Sequence, residues 1–145
     1  PAATVAALAQ YGATDLLCYR AEDRRLAARQ AVAWDPLLAW AALTLDAPLR
    51  VTTGVMPIAQ DAQALAALTR AIAAHPPLIL ALGSAVLGLA LAAGRIAAAE
   101  AHALALVDER FQQEFWGLDA EAEARQARLA AELALAERLM ALARG

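Results

Sequence analysis

From Asp61 onward apolar residues recur every three or four positions, the spacing that gathers them on one face of an α-helix. Leu65, Leu68 and Ile72 form the first such run, capped by Asp61 and stopped by His75-Pro76-Pro77. A longer run from about Ala97 through Leu104, Val107, Phe111 and Phe115 predicts one amphipathic helix ended by Gly117. Asp119 then caps a last helix with Leu129, Leu133, Ala136 and Met140 at near-heptad spacing.

The first half is more broken. Thr4–Tyr11 carries Val5, Leu8 and Tyr11 before Gly12, a short helix with a glycine stop. The apolar patch Leu16-Leu17-Cys18-Tyr19 has no decisive period and fits either helix or strand. Asp23 caps a helix from Arg24 to Ala33, with Leu26, Gln30 and Ala33 along one side. Asp35-Pro36 restarts the chain as cap and first helical residue, and the new helix carries Leu37, Leu38, Trp40 and Leu43 toward Asp46. Ala47–Ile58 holds Pro48, Gly54 and Pro57 around Leu49-Arg50-Val51-Thr52-Thr53 and predicts an extended connector.

From Pro76 to Gly94 no charged residue occurs. That length touches the lower limit for a membrane span. The run is diluted by Ala, Gly83, Ser84, Gly88 and Gly94, and it lacks an aromatic belt. A helix apolar all round is also what the middle of a bundle needs. The expected fold is therefore all-α: a compact orthogonal bundle of six to seven helices around a buried apolar central helix, with one short extended connector.

Composition supports this. Hydrophobic residues make up 61% of the 145, much of it Ala, which favours helices packed through small side chains. Every basic residue is Arg. A net charge of −3 argues against general nucleic-acid binding, which needs a basic surface. The single Cys18 makes no internal disulfide and no cysteine-based zinc site.

Candidate chemistry is sparse. His75 and His102 have no ligand-spaced companions, and Glu100 and His102 are two apart, on different sides of a helix. Ser84 is the sole serine and lacks a nucleophile elbow; with Gly83 and Gly88 it is expected to let helices approach closely. Neither a phosphate loop nor a dinucleotide fingerprint is present, so no cofactor is expected. Carboxylates are the richest polar resource: Asp108, Glu109, Glu114, Asp119, Glu121 and Glu123 gather around the end of the long helix, with Arg110 among them. Arg20, Arg24, Arg25 and Arg29 gather in the first third beside Glu22 and Asp23. Two solvated faces, or a bipolar surface that docks a charged partner, both fit these runs. Trp34 and Trp116 each sit beside a helix break, where an indole is either a core wedge or an interface anchor.

Asp15-Leu16-Leu17-Cys18-Tyr19-Arg20-Ala21-Glu22, followed by Gln30 and Trp34-Asp35-Pro36-Leu37-Leu38, resembles the assembly-chaperone family for the F1 part of ATP synthase, in the branch that attends the alpha subunit. Glu100-Ala101, Asp108-Glu109, Gln112, Glu114 and Trp116-Gly117 are similar to that family's carboxy-terminal region in the same order. The resemblance runs from Tyr11 to about Gly117. It implies a non-enzymatic chaperone that binds free F1 alpha subunit and prevents its aggregation before assembly with beta. Partners of other kinds, such as nucleic acid, membrane or a small-molecule substrate, are not expected. Family members carry a sheet-containing domain ahead of a helical one, and residues 1–145 resemble the helical domain alone. The implied location is the cytoplasm of an alphaproteobacterium, or the mitochondrial matrix.

Under this resemblance Asp108, Glu109, Gln112, Glu114 and Trp116 are expected to contribute to docking. Tyr19, Arg20, Glu22, Trp34, Asp35 and Pro36 are expected to pack and cap a helix junction. Rival readings are a small helical enzyme with an acid–base pair such as Glu22 and Glu109, and a membrane-associated structural bundle. The protein should purify from the soluble fraction without detergent; recovery only from membranes would overturn the bundle expectation.

Overall fold

The computed structural model describes residues 14–75 and 82–144. The helix expected over Thr4–Tyr11 and the stretch 76–81 lie outside the described residues. A 3-10 turn, Leu16–Cys18, leads into strand β1, Tyr19–Arg20. Helix α1, Arg24–Thr44, comes next, then strand β2, Thr52–Thr53, inside the expected connector. Five helices complete the order: α2, Ala62–Ala73; α3, Ala85–Ala92; α4, Ala98–Ala105; α5, Val107–Trp116; and α6, Ala120–Arg144. The undecided patch at Leu16–Tyr19 is thus both turn and strand. β1 pairs with β2 in parallel, Tyr19 opposite Thr52 and Arg20 opposite Thr53.

The mainly helical expectation holds, and so does the buried centre. All eight residues of α3 are buried, with α1, α2, α4 and α6 packed against it. Among the described residues no helix is long and apolar enough to cross a membrane. The central helix is shorter than the uncharged run suggested, because Gly83 takes a left-handed φ of +72° and Ser84 caps α3. Ser84 and Gly83 therefore do not serve close helix approach. A Cβ on Gly83 would meet nothing within 4 Å, and the Ser84 hydroxyl oxygen accepts from Leu87 N–H at 3.1 Å.

That hydroxyl also donates to the carboxylate of Asp15 at 2.7 Å. Asp15 is fully buried. Its Oδ1 also accepts from Leu17 N–H at 3.1 Å and its Oδ2 from Val86 N–H at 3.1 Å. One carboxylate thus caps both the 3-10 turn and α3, which fastens residue 15 to the middle of the core. Burial pushes its carboxyl above the usual carboxylate range, while the bonds from Ser84 and the backbone amides pull it back.

Two helix boundaries differ from the sequence expectation. Asp35-Pro36 does not restart the chain: α1 runs unbroken through it. Proline inside a helix removes one N–H, here the donor to the Val32 carbonyl. Pro36 lies on the outer face beside Val32, itself 80% exposed, so water can satisfy the freed carbonyl. Asp35 accordingly caps nothing; its carboxylate accepts from Arg20 at 2.8 Å. The second difference is the helix predicted from Ala97 to Gly117, which breaks at buried Leu106 into α4 and α5. The break frees the Leu104 carbonyl, and the indole N–H of Trp34 donates to it at 2.8 Å. Trp34 is fully buried and is the wedge of this junction.

Two outcomes test this account. Pro36→Ala restores a helical hydrogen bond at an exposed site and should raise stability in urea by about 1–2 kcal/mol. For Asp15 the raised pKa sets the sign. A carboxyl raised in the fold contributes stability that is complete below its unfolded value of 3.8 and lost as pH rises through the folded value. The stability advantage of wild type over Asp15→Asn should therefore shrink as pH climbs from 3.8, and a constant difference would contradict it.

Candidate functional site

Helix α5 is positioned by its seam with α1. Gln30, almost wholly buried, accepts from Ala21 N–H at 2.8 Å and donates to Asp108 Oδ1 at 2.7 Å. One turn outward, Arg29 holds Glu114 through two bonds of 2.5 and 3.1 Å, which keeps the Glu114 carboxyl below its usual range. Arg25 and Arg29 both place their guanidinium groups over Phe111, and Arg25 also over Phe115. The two rings meet edge to face at 5.2 Å. The arginine run and the acidic run thus face each other across α1 and α5, and part of each is neutralised inside the fold.

On the other flank, Glu109 pairs with Arg125 of α6. The α5–α6 corner holds a groove of about 320 Å³ lined by Glu109, Gln112, Trp116, Asp119, Glu121 and Arg125 among others. Gln112 is exposed beside it. Trp116 is 84% exposed, and Phe115 and Leu118 on either side stand out with it. Gly117, at φ +78°, turns the chain there, and Asp119 opens α6 by accepting from Ala122 N–H at 2.7 Å.

Five residues expected to dock a partner therefore fall into two groups. Glu109, Gln112 and Trp116 share the groove, while Asp108 and Glu114 are held in the α1 seam. The exposure of Phe115 and Leu118 was not expected. Phe115, Trp116 and Leu118 are too close in sequence for one helix face, so the crowding around Gly117 was the available signal.

Of the six residues expected to be structural, Tyr19, Arg20 and Glu22 line a different feature, while Trp34, Asp35 and Pro36 lie in α1. Arg20 is 8% exposed, donates from Nε to the Leu17 carbonyl at 3.1 Å and lies over the Trp34 ring. Tyr19, Arg20, Glu22, Gln30 and Asp108 line a cavity of about 490 Å³ whose rim includes Gly54 and Val55. Glu22 lines this cavity and Glu109 the grooves beside α6, so the pair named for acid–base chemistry is not assembled. Burial and the nearby Asp15 push the Cys18 thiol up to about 12, which keeps it protonated. His102 binds the Gln126 carbonyl through Nε2 at 2.8 Å.

Sequence comparison with curated proteins returns no match. The family model described as ATP12 chaperone protein matches residues 1–42. Among solved structures, Atp12 from Paracoccus denitrificans is 46% identical with a TM-score of 0.89 over 97% of this chain and 64% of its own. A mutant of the same Paracoccus protein gives 45% identity and a TM-score of 0.90, over 97% of this chain and 64% of that one. A protein from Agrobacterium tumefaciens is 38% identical with a TM-score of 0.81, over 94% of this chain and 54% of that one. The chain thus spans less than two thirds of the length of these proteins. In sequence and in fold together, the chain belongs to the ATP12 chaperone family.

Proposed function

We propose that this chain is a chaperone for assembly of the F1 sector of ATP synthase, which holds the free alpha subunit and keeps it from aggregating, without catalysis. An unassembled subunit exposes apolar interface, and a stoichiometric binder must cover it reversibly. The observation that carries this reading is the tip of α5. There Trp116, exposed to 84%, stands between two further exposed apolar residues and borders a groove with carboxylates at its edge. A large indole left in water at the end of a packed helix is the kind of residue that dominates binding energy when a partner covers it. Glu109 and Gln112 supply the polar edge of the same surface, and Asp108 and Glu114 set the angle of α5 from the α1 side. The relatives from two alphaproteobacteria favour the bacterial cytoplasm as the place of action, with the mitochondrial matrix as the alternative.

Capture of purified F1 alpha subunit tests this. Trp116→Ser should weaken it by about 30-fold, the equivalent of about 2 kcal/mol, while leaving the melting temperature unchanged because the indole is exposed. Glu109→Arg should also weaken capture. Its stability loss should stay below about 1 kcal/mol, since the pair with Arg125 is exposed. Normal capture by both variants would remove this docking surface, and no capture by the wild-type chain would remove the function itself.

A further inference from the structure

We propose that the outer face of α1 is a self-association surface, on which a second copy of this chain lays its own α1 antiparallel across a two-fold axis at the Asp35–Pro36 peptide. Ala28, Val32, Pro36, Ala39 and Leu43 are all exposed. At 100° per residue they fall within about 80° of the helix circumference, and at 1.5 Å per residue the stripe is about 22 Å long. Val32 is 80% exposed and Leu43 88%, so no described element covers either end.

Charge and size choose the occupant. Arg25 sits in the first turn of α1, and exposed Asp46 lies just past its last turn. Each is the sign that a helix terminus disfavours, beyond what the Asp23 cap offsets. In the antiparallel arrangement Arg25 of one copy meets Asp46 of the other, twice per pair. The same axis sets Leu43 opposite Ala28 and Val32 opposite Ala39, a large side chain against a small one each time. A parallel pair would instead set Arg25 against Arg25 and Leu43 against Leu43. Asp35, beside the axis, is drawn off by its 2.8 Å pair with Arg20, so the centre is not lined by bare carboxylates. Arg25 rests over Phe111 and Phe115 and pairs loosely with Asp23 of its own chain at 3.8 Å, yet leaves 70% of its side chain exposed.

One helix per copy buries less than the roughly 1,200–2,000 Å² of stable complexes, so the pair forms at high concentration. Sedimentation of the wild-type chain from about 5 to about 500 µM should show a monomer passing into a dimer. Leu43→Glu should weaken dimerisation at least about tenfold. Arg25→Asp and Asp46→Arg should each weaken it alone. Mixed in equal amounts, those two variants should associate with each other, because one charge contact is then present in its native form and the other in reversed form. A wild type that stays monomeric throughout overturns the proposal. So does a dimer that survives Leu43→Glu, or a mixture that associates no better than its components.

Discussion

A carboxylate sealed away from water is tolerated only when its oxygens are fully hydrogen-bonded, and Asp15 meets that condition by bonding to two distant parts of the chain at once. Its oxygens take donors from the turn at Leu17 and from Ser84 and Val86 at the start of the central helix. Among the described residues, the first amides of α3 are satisfied by this carboxylate and by the hydroxyl and carbonyl of Ser84. The constraint fixes more than one helix end. With residue 15 held against α3, β1 lies where it can pair with β2, and Arg20 where it can reach Asp35. Arg20 in turn lies over Trp34, whose indole N–H reaches the carbonyl freed between α4 and α5. The direction of α5, and so of its exposed tip, descends from a hydrogen-bonded carboxylate about 100 residues earlier in the chain.

The electrostatics follow the same geometry. Two runs of opposite charge, separate in sequence, become neighbours when α1 packs against α5. Arg29 then binds Glu114, and Gln30 binds Asp108. The half-exposed Arg29–Glu114 ion pair adds little stability, and the part-buried Gln30–Asp108 bond joins a neutral amide to a carboxylate. Their consequence is in what remains outside. Pairing across the seam neutralises part of the two runs, while Asp119 and Glu121 line the groove at the α5–α6 corner beside Trp116. Under the proposed function, docking then rests less on broad charge complementarity than on an apolar anchor with a polar edge.

Much of the architecture was legible because its signals are local. Asp23, Asp61 and Asp119 each cap the helix that their position announced. Leu133 and Ala136 face the core at the spacing they showed in the sequence. The misjudged boundaries depend on distant groups. Asp35-Pro36 carries a strong start signal, but the packing of Trp34, Leu37 and Leu38 keeps the helix continuous while Pro36 meets only solvent. Leu106 carries no breaker signal at all; the break is compensated by Trp34, 72 positions away in sequence. For the site, the acidic residues were visible as a cluster, yet which of them stay available was decided by Arg29, Gln30 and Arg125, and no spacing rule links those to α5.

Why a fold so rich in apolar residues leaves apolar surface exposed follows from the lengths of its parts. The central helix has eight residues, about 12 Å at 1.5 Å per residue, whereas α1 has 21 and α6 has 25. Long helices packed on a short one overhang it, and the overhanging turns have no core to face. Ala sharpens the effect: it brings helices close, but each Ala buries little area, so inward positions fill quickly. Remaining large side chains must lie on outer faces or at ends, and there Val32, Leu43, Trp116 and Leu142 are found. The overhang accounts for exposed end turns such as that of Leu142 on α6, whereas the α1 stripe faces away from α3 and the α5 tip projects past the α1 seam. Under the proposed chaperone role such exposed apolar residues are an advantage, since an interior long enough to bury them would leave no apolar surface with which to cover a partner.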